Sequence, residues 1–145
     1  MAKEKRTKPK QIIGNKETVD FPALGIEGIA AKIDTGAYTN TLHCSEIREE
    51  KQNGKPVLCF RVLDASHPVF SNKEHCFKEF SRKKIKNSFG EVEERYLIKT
   101  KIRIAGRTIK SIISLTHRGN MRYPVLIGRR LLKNKFLVDV SLKNN

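Results

Sequence analysis

Ala31-Lys32-Ile33-Asp34-Thr35-Gly36-Ala37 is the stretch on which the reading of this chain turns. Ile29, Ala31 and Ile33 alternate with less apolar neighbours, the period of a half-buried strand. That strand delivers Asp34 to a Thr-Gly turn. Asp34 can ionise or hold a shared proton. Thr35 offers a donor and an acceptor with which to lock a turn. Gly36 lets another backbone approach closely. From average residue usage, Asp followed by Ser or Thr and then Gly arises by chance roughly once in two thousand positions. The triplet alone therefore does not separate a reactive turn from an ordinary Asx turn after a strand, and the rest of the chain has to decide.

The chain of 145 residues fits one domain with a proper core. Apolar residues make up 38% and charged residues 31%, so little apolar surface is spare. No run approaches the roughly 18 apolar residues of a membrane span. Residues 1–10 are basic, with no apolar stretch after them. They read as a disordered basic tail rather than a secretory leader, ahead of a folded unit at 11–145. A cytoplasmic location is the expectation. Thirty Lys and Arg against fifteen Asp and Glu give a net charge of +15. Such a chain attracts polyanions or acidic proteins. Its few aromatic residues are not interleaved with the basic ones as a single-strand binder requires, which weighs against nucleic acid as the partner.

Cys44, Cys59 and Cys76 are an odd set with no Cys-x-x-Cys pair. They argue against a disulfide framework, as suits a reducing compartment. His43-Cys44 and His75-Cys76 invite a zinc reading. Strand neighbours point to opposite faces, however, so one ion cannot easily take both members, and no metal is expected.

Turn signals punctuate the remainder into short strands. Asn53-Gly54 marks a two-residue hairpin, leading to Val57–Leu63, where Leu58, Phe60 and Val62 share a face. Tyr96, Ile98, Ile102 and Ile104 line one side of the clearest strand. Ala105-Gly106-Arg107 turns it back through Thr108–Leu115. Tyr123–Gly128 is an apolar strand, Arg129–Asn134 a short helix and Phe136–Val140 a last strand. Gln11–Asn15 and Glu17–Phe21 read as two separate short strands. The pattern is all-β, a barrel or sandwich with one or two short helices. His43 and His117 read as surface or core-edge histidines, and Tyr123 and Phe136 as core.

Ala31–Cys44 and Tyr123–Asp139 together resemble the bacterial retropepsin-like proteins, often labelled "ATP-dependent zinc protease". A weaker likeness runs through Arg95–Leu115. The resemblance implies a closed antiparallel acid-protease barrel used as a homodimer. It implies that Asp34 is the catalytic carboxylate, Thr35 ties the two turns across the dimer and Gly36 meets the substrate backbone. Ala37 and Tyr38 would flank the substrate. Ser88, Phe89 and Gly90 would form a flap over it, in place of the family's Ser-Ser-Gly. Val125–Gly128 matches the strand beneath the turn, with Gly128 and Arg129 bracing it. Tyr38 departs from the family, which commonly has Arg there, and so bears on substrate preference.

The label's two nouns have no motif here. The chain lacks a Gly-x-x-x-x-Gly-Lys-Ser/Thr loop for ATP and a His-Glu-x-x-His for zinc. No cofactor is expected. The resemblance links ATP to a partner instead, an ATP-grasp ligase that adds glutamate. One Asp-Thr-Gly supplies one carboxylate, and amide hydrolysis by this chemistry needs two that share a proton. The expected function is therefore an aspartic endopeptidase with a dyad built across a two-fold axis, acting on a peptide whose character the net charge suggests is acidic. The other readings are a peptide-binding module on the same barrel, a basic nucleic-acid-binding barrel, and a zinc hydrolase.

Overall fold

The structure is a computed structural model and describes residues 9–86, 90–117 and 122–144. The basic tail expected at 1–10 lies almost wholly outside them. Ten strands run β1 Gln11–Phe21, β2 Ile26–Ile33, β3 Asn40–Gln52, β4 Lys55–Val62, β5 Glu74–Phe77, β6 Ser81–Lys86, β7 Val92–Ile104, β8 Arg107–Thr116, β9 Val125–Ile127 and β10 Phe136–Asn144, with one helical turn, α1, at Arg129–Leu132. A 3-10 turn, Pro22–Leu24, joins β1 to β2. No helix among the described residues is long and apolar enough to cross a membrane.

Six strands close into a barrel in the order β1-β2-β9-β3-β8-β7, and β1 pairs back onto β7 through Val19–Ile104 and Asp20–Arg103. The chain is therefore all-β and the barrel is closed. Four of its contacts are antiparallel. The two parallel ones are β2–β9 and β3–β8, and β9 is inserted between two strands that precede it in sequence. Alternation fixes what faces inward. Val19, Phe21, Ile29, Ala31, Leu42, Ile98, Ile102, Ile104, Ile113, Val125 and Ile127 are buried, and burial of each large side chain contributes on the order of 1.5–3 kcal/mol. Outside the barrel, β10 flanks β1, β6 pairs with β7 as a hairpin, and β4 and β5 extend the far half of β3.

Gln11–Phe21 is one strand, not two. The register against β10 slips between Gly14 and Lys16, so a β-bulge absorbs the apparent break in the pattern. The Asn53-Gly54 hairpin forms as its residue types require, with φ of 53° and 77°.

Cys59 and Cys76 are joined in a disulfide, against the expectation of unpaired thiols, while Cys44 stays free and buried. The register explains the pair. Cys59 stands directly opposite Cys76 on β4 and β5, with Cα atoms 4.1 Å apart. A sequence spacing of seventeen carries no hint of that pairing. Burial pushes the Cys44 thiol well above its ordinary pKa.

Candidate active site

The Asp34 turn is built by three neighbouring segments, each held by its backbone. β2 ends at Ile33, and the Asp34 N–H donates to the Ile127 carbonyl at 2.8 Å, so the strand is clipped to β9 up to the carboxylate itself. The turn then closes on itself. Gly36 N–H donates to Asp34 Oδ1 at 3.0 Å, and Ala37 N–H to the Asp34 carbonyl at 3.2 Å. Beyond the turn, the Ala37 and Tyr38 carbonyls each accept from the start of α1, from Arg129 N–H and Arg130 N–H, both at 2.9 Å. The Arg129 guanidinium donates to the Thr35 carbonyl at 2.9 Å. Arg129 thus bonds the loop twice, through its guanidinium to the middle of the turn and through its backbone N–H to the exit.

Gly128 sits where α1 and the Asp34 loop come closest. A Cβ there would lie 2.8 Å from the Ala37 and Tyr38 carbonyl oxygens. Its φ of −100° suits any residue, so the demand for glycine is one of space, not of backbone conformation.

Asn40 is the member of this assembly that the sequence did not single out. It is fully buried at the start of β3. Its Oδ1 accepts from Gly128 N–H at 2.9 Å, and its Nδ2 donates to Ser111 Oγ and to the Ile112 carbonyl, both at 3.0 Å. One side chain therefore ties β8 to the strand end beneath the Asp34 loop, and every polar atom of its amide is used. The one signal in the sequence is an amide opening a Thr-rich strand, which is too common to act on.

Asp34 is half-buried, and Thr35, Gly36 and Tyr38 are exposed. No cation pairs with Asp34 among the described residues. The Thr35 hydroxyl has no partner within the described part of the chain. Tyr38 is 52% exposed, and its ring lies near two guanidinium groups, 5.9 Å from Arg129 Cζ and 5.5 Å from Arg130 Cζ. Beside the turn opens a groove of about 690 Å³, lined by Thr35, Tyr38, Arg129, Leu132, Phe136 and Leu137.

The structure thus gathers Asp34, Thr35, Gly36, Ala37, Tyr38, Gly128 and Arg129 into one assembly. Gly90, exposed with φ +81°, stands just before β7 at the end of the β6–β7 hairpin. Ser88 and Phe89, read as flap residues, lie outside the described residues.

His43 is buried on β3, with Nε2 2.6 Å from Asp64 Oδ2 and its ring 5.3 Å from that of His117. Ser66 bonds the other Asp64 oxygen through both its hydroxyl and its N–H. These bonds, Ser66 first and His43 next, hold the Asp64 carboxyl below the usual carboxylate range. A depressed folded value lends stability that is present above the unfolded value, about pH 4, and lost as pH falls through the lower folded value. Asp64→Asn is expected to flatten the acid side of the stability curve below about pH 4, read as Tm against pH. An unchanged acid slope would remove this carboxylate from the account.

Among the described residues, the grouping whose donor atoms lie close enough for a metal is Cys59, Glu74 and Cys76 on β4 and β5, and its two sulfurs are joined to each other.

Against known proteins, residues 12–145 match the family model described as retropepsin-like aspartic endopeptidase RimB. A protein of Shewanella halifaxensis named "Probable alpha-L-glutamate ligase" is 38% identical over 136 residues, 91% of this chain. A protein of the same name from Desulfotalea psychrophila is 30% identical over 138 residues. The chain spans 29% of the length of each. Among solved structures, the Legionella pneumophila protein Lpg0085, described as of unknown function, superposes with a TM-score of 0.72 at 25% identity, covering 95% of this chain and 98% of that one. A closed barrel with an Asp-Thr-Gly turn clipped to a Gly-Arg strand end, matched over all but the first eleven residues, makes this chain a member of the RimB-like family of retropepsin-like aspartic endopeptidases.

Proposed function

We propose that the chain is an aspartic endopeptidase whose active site forms when two copies bring their Asp34 side chains together on a two-fold axis. The observation that carries this reading is a carboxylate held by backbone bonds at an exposed turn, in no ion pair among the described residues, with one such turn per chain. One carboxylate at its ordinary pKa is a weak catalyst of amide hydrolysis. Two about 3 Å apart cannot both ionise and share a proton.

The ionised carboxylate then takes a proton from water as the water oxygen bonds to the peptide carbonyl carbon. The protonated one gives its proton to the carbonyl oxygen. As the diol collapses, one of its hydroxyls returns a proton to the second carboxylate, the C–N bond breaks, and the departing amine takes the proton held by the first, so the pair again holds one proton. Thr35, exposed and with no hydroxyl partner among the described residues, is the residue to tie the two turns across the axis. Gly36 and Ala37 offer backbone to the peptide, and Gly90 closes the β6–β7 hairpin over it.

The surface beside the turn favours a second copy. Ile12 and Leu137 are paired on β1 and β10, 61% and 52% exposed, and adjoin the groove that Thr35 lines. Exposed apolar surface of this kind marks association sites.

The net charge of +15 favours an acidic peptide as substrate. The names of the relatives, which speak of joining α-L-glutamate, favour glutamyl bonds within it and a functional link to such a ligase in the cytoplasm.

A dilution series tests the shared site. Specific activity on a glutamate-rich peptide is expected to fall as protein is diluted through its dimer dissociation constant and to recover on reconcentration. Activity per chain that stays constant in a preparation shown to be monomeric by sedimentation would overturn the shared dyad.

A further inference from the structure

Side chains of residues paired across neighbouring strands leave the same face of a sheet, and residues two apart on one strand do so as well. Lys32 is two residues before Asp34 and exposed, while Ala31 and Ile33 between and before them are buried. Lys32 and Asp34 therefore share a face. Across the ladder, Lys32 pairs with Lys16 on β1, and Lys16 with Lys143 on β10. In the other direction, Lys32 pairs with Leu126 on β9, and Leu126 with Thr41 on β3, whose hydroxyl meets Ser114 Oγ at 3.1 Å. One row thus runs Lys143–Lys16–Lys32–Leu126–Thr41–Ser114 over the face that carries the Asp34 carboxylate.

Three lysines directly opposite one another, on strands about 4.8 Å apart, repel, and like charges so placed destabilise a sheet. Among the described residues, no carboxylate forms an ion pair with Lys16, Lys32, Lys143 or Arg122. The glutamates that make ion pairs are spent on arginines elsewhere: Glu46, Glu50 and Glu74 on Arg48 and Arg61, Glu49 and Glu94 on Arg82, and Glu93 on Arg95. Glu17, next to Lys16 in sequence, points to the opposite face, buried, and accepts from Gly14 N–H at 3.1 Å and Asn144 Nδ2 at 2.6 Å.

Cationic groups gather further at the Lys16 end. The Tyr123 ring lies 5.1 Å from Lys16 Nζ and 5.8 Å from Arg122 Cζ. Lys16 first, then Arg122 and Lys143, hold the Tyr123 phenol below its usual pKa, so the field there is positive.

We propose that Lys32, Lys16 and Lys143 are the specificity-determining residues of this site, receiving carboxylate side chains of a peptide seated over Asp34, with Lys32 nearest the scissile bond. This rests on the peptidase reading above and adds to it the groups that select the substrate. An extended peptide presents side chains to one face about every 6.8 Å, within the adjustment that flexible lysine stems allow. The carboxylates would supply the counter-charge that the fold leaves out.

Binding separates this proposal from catalysis. In protein carrying Asp34→Asn, a labelled glutamate decapeptide is expected to bind at least about tenfold tighter than its glutamine counterpart. Lys32→Gln, at an exposed position, is expected to remove most of that preference, and Lys16→Gln and Lys143→Gln a few-fold each, with the glutamine peptide unaffected. Lys99→Gln/Lys101→Gln, on exposed positions of β7 away from the row, removes two charges where each row variant removes one, and is expected to leave the preference intact.

The proposal is overturned if the β7 pair costs as much as the row, if the row variants keep the wild-type preference, or if they lose affinity for a single-stranded oligonucleotide while glutamate and glutamine peptides bind alike. Selective, lysine-dependent binding by wild-type protein that never cleaves would sink the peptidase reading and leave the subsite standing. Cleavage indifferent to peptide charge would do the reverse.

Discussion

Asp34→Asn is expected to abolish peptide hydrolysis, by about 10⁴-fold, without lowering Tm. The fold is spared because the amide oxygen of Asn can still accept the Gly36 N–H that Asp34 Oδ1 accepts now, and the Asp34 backbone bonds to Ile127 and Ala37 do not involve the side chain. The chemistry is not spared. In a homodimer the substitution replaces both carboxylates at once, leaving no group to take the proton of water and none to share one.

The shared site adds a second, sharper result. Wild-type protein mixed with an excess of the Asp34→Asn chain is expected to lose activity in proportion to the heterodimer formed, since a mixed pair has one carboxylate and one amide. A single-chain mechanism would show no such interference. Residual activity of the purified variant near the wild-type level would remove Asp34 from the reaction altogether.

Within the site, Gly128→Ala is the substitution with the largest expected effect on structure. The new methyl would meet the Ala37 and Tyr38 carbonyl oxygens at 2.8 Å and the Tyr38 carbonyl carbon at 2.9 Å. All three are backbone atoms, and Ala37 and Tyr38 are in turn held by the Arg129 and Arg130 N–H groups, so neither side can yield cheaply. Overpacking of this sort costs typically about 1–3 kcal/mol, a fall in Tm of roughly 3–12 °C for a chain of this size.

Relief can come through displacement of the 37–38 segment, which carries the Asp34 turn with it. Positions off by about 1 Å cost catalysis on the order of 10²-fold. Gly128→Ala protein is therefore expected to be both less stable and nearly inactive, with the loss in kcat rather than in peptide binding. A variant with wild-type Tm and kcat would show that the loop does not depend on this close approach.

The sequence by itself determined the alternation that makes Ile29–Ile33 a strand with Asp34 at its end, the Asn53-Gly54 and Ala105-Gly106 turns, and the inward face of Tyr96–Ile104. These are local patterns, because strand period and turn conformation depend on residues within a few positions of one another. Tertiary structure alone decided the rest. Asn40 became the link between Gly128 and β8 because β9 is threaded between β2 and β3, a parallel insertion that no local pattern encodes. Cys59 met Cys76, and Lys32 met Lys16 and Lys143, because register across strands sets which side chains stand opposite. Register comes from burying one face of every strand at once, and that is a property of the closed barrel, not of any segment in it.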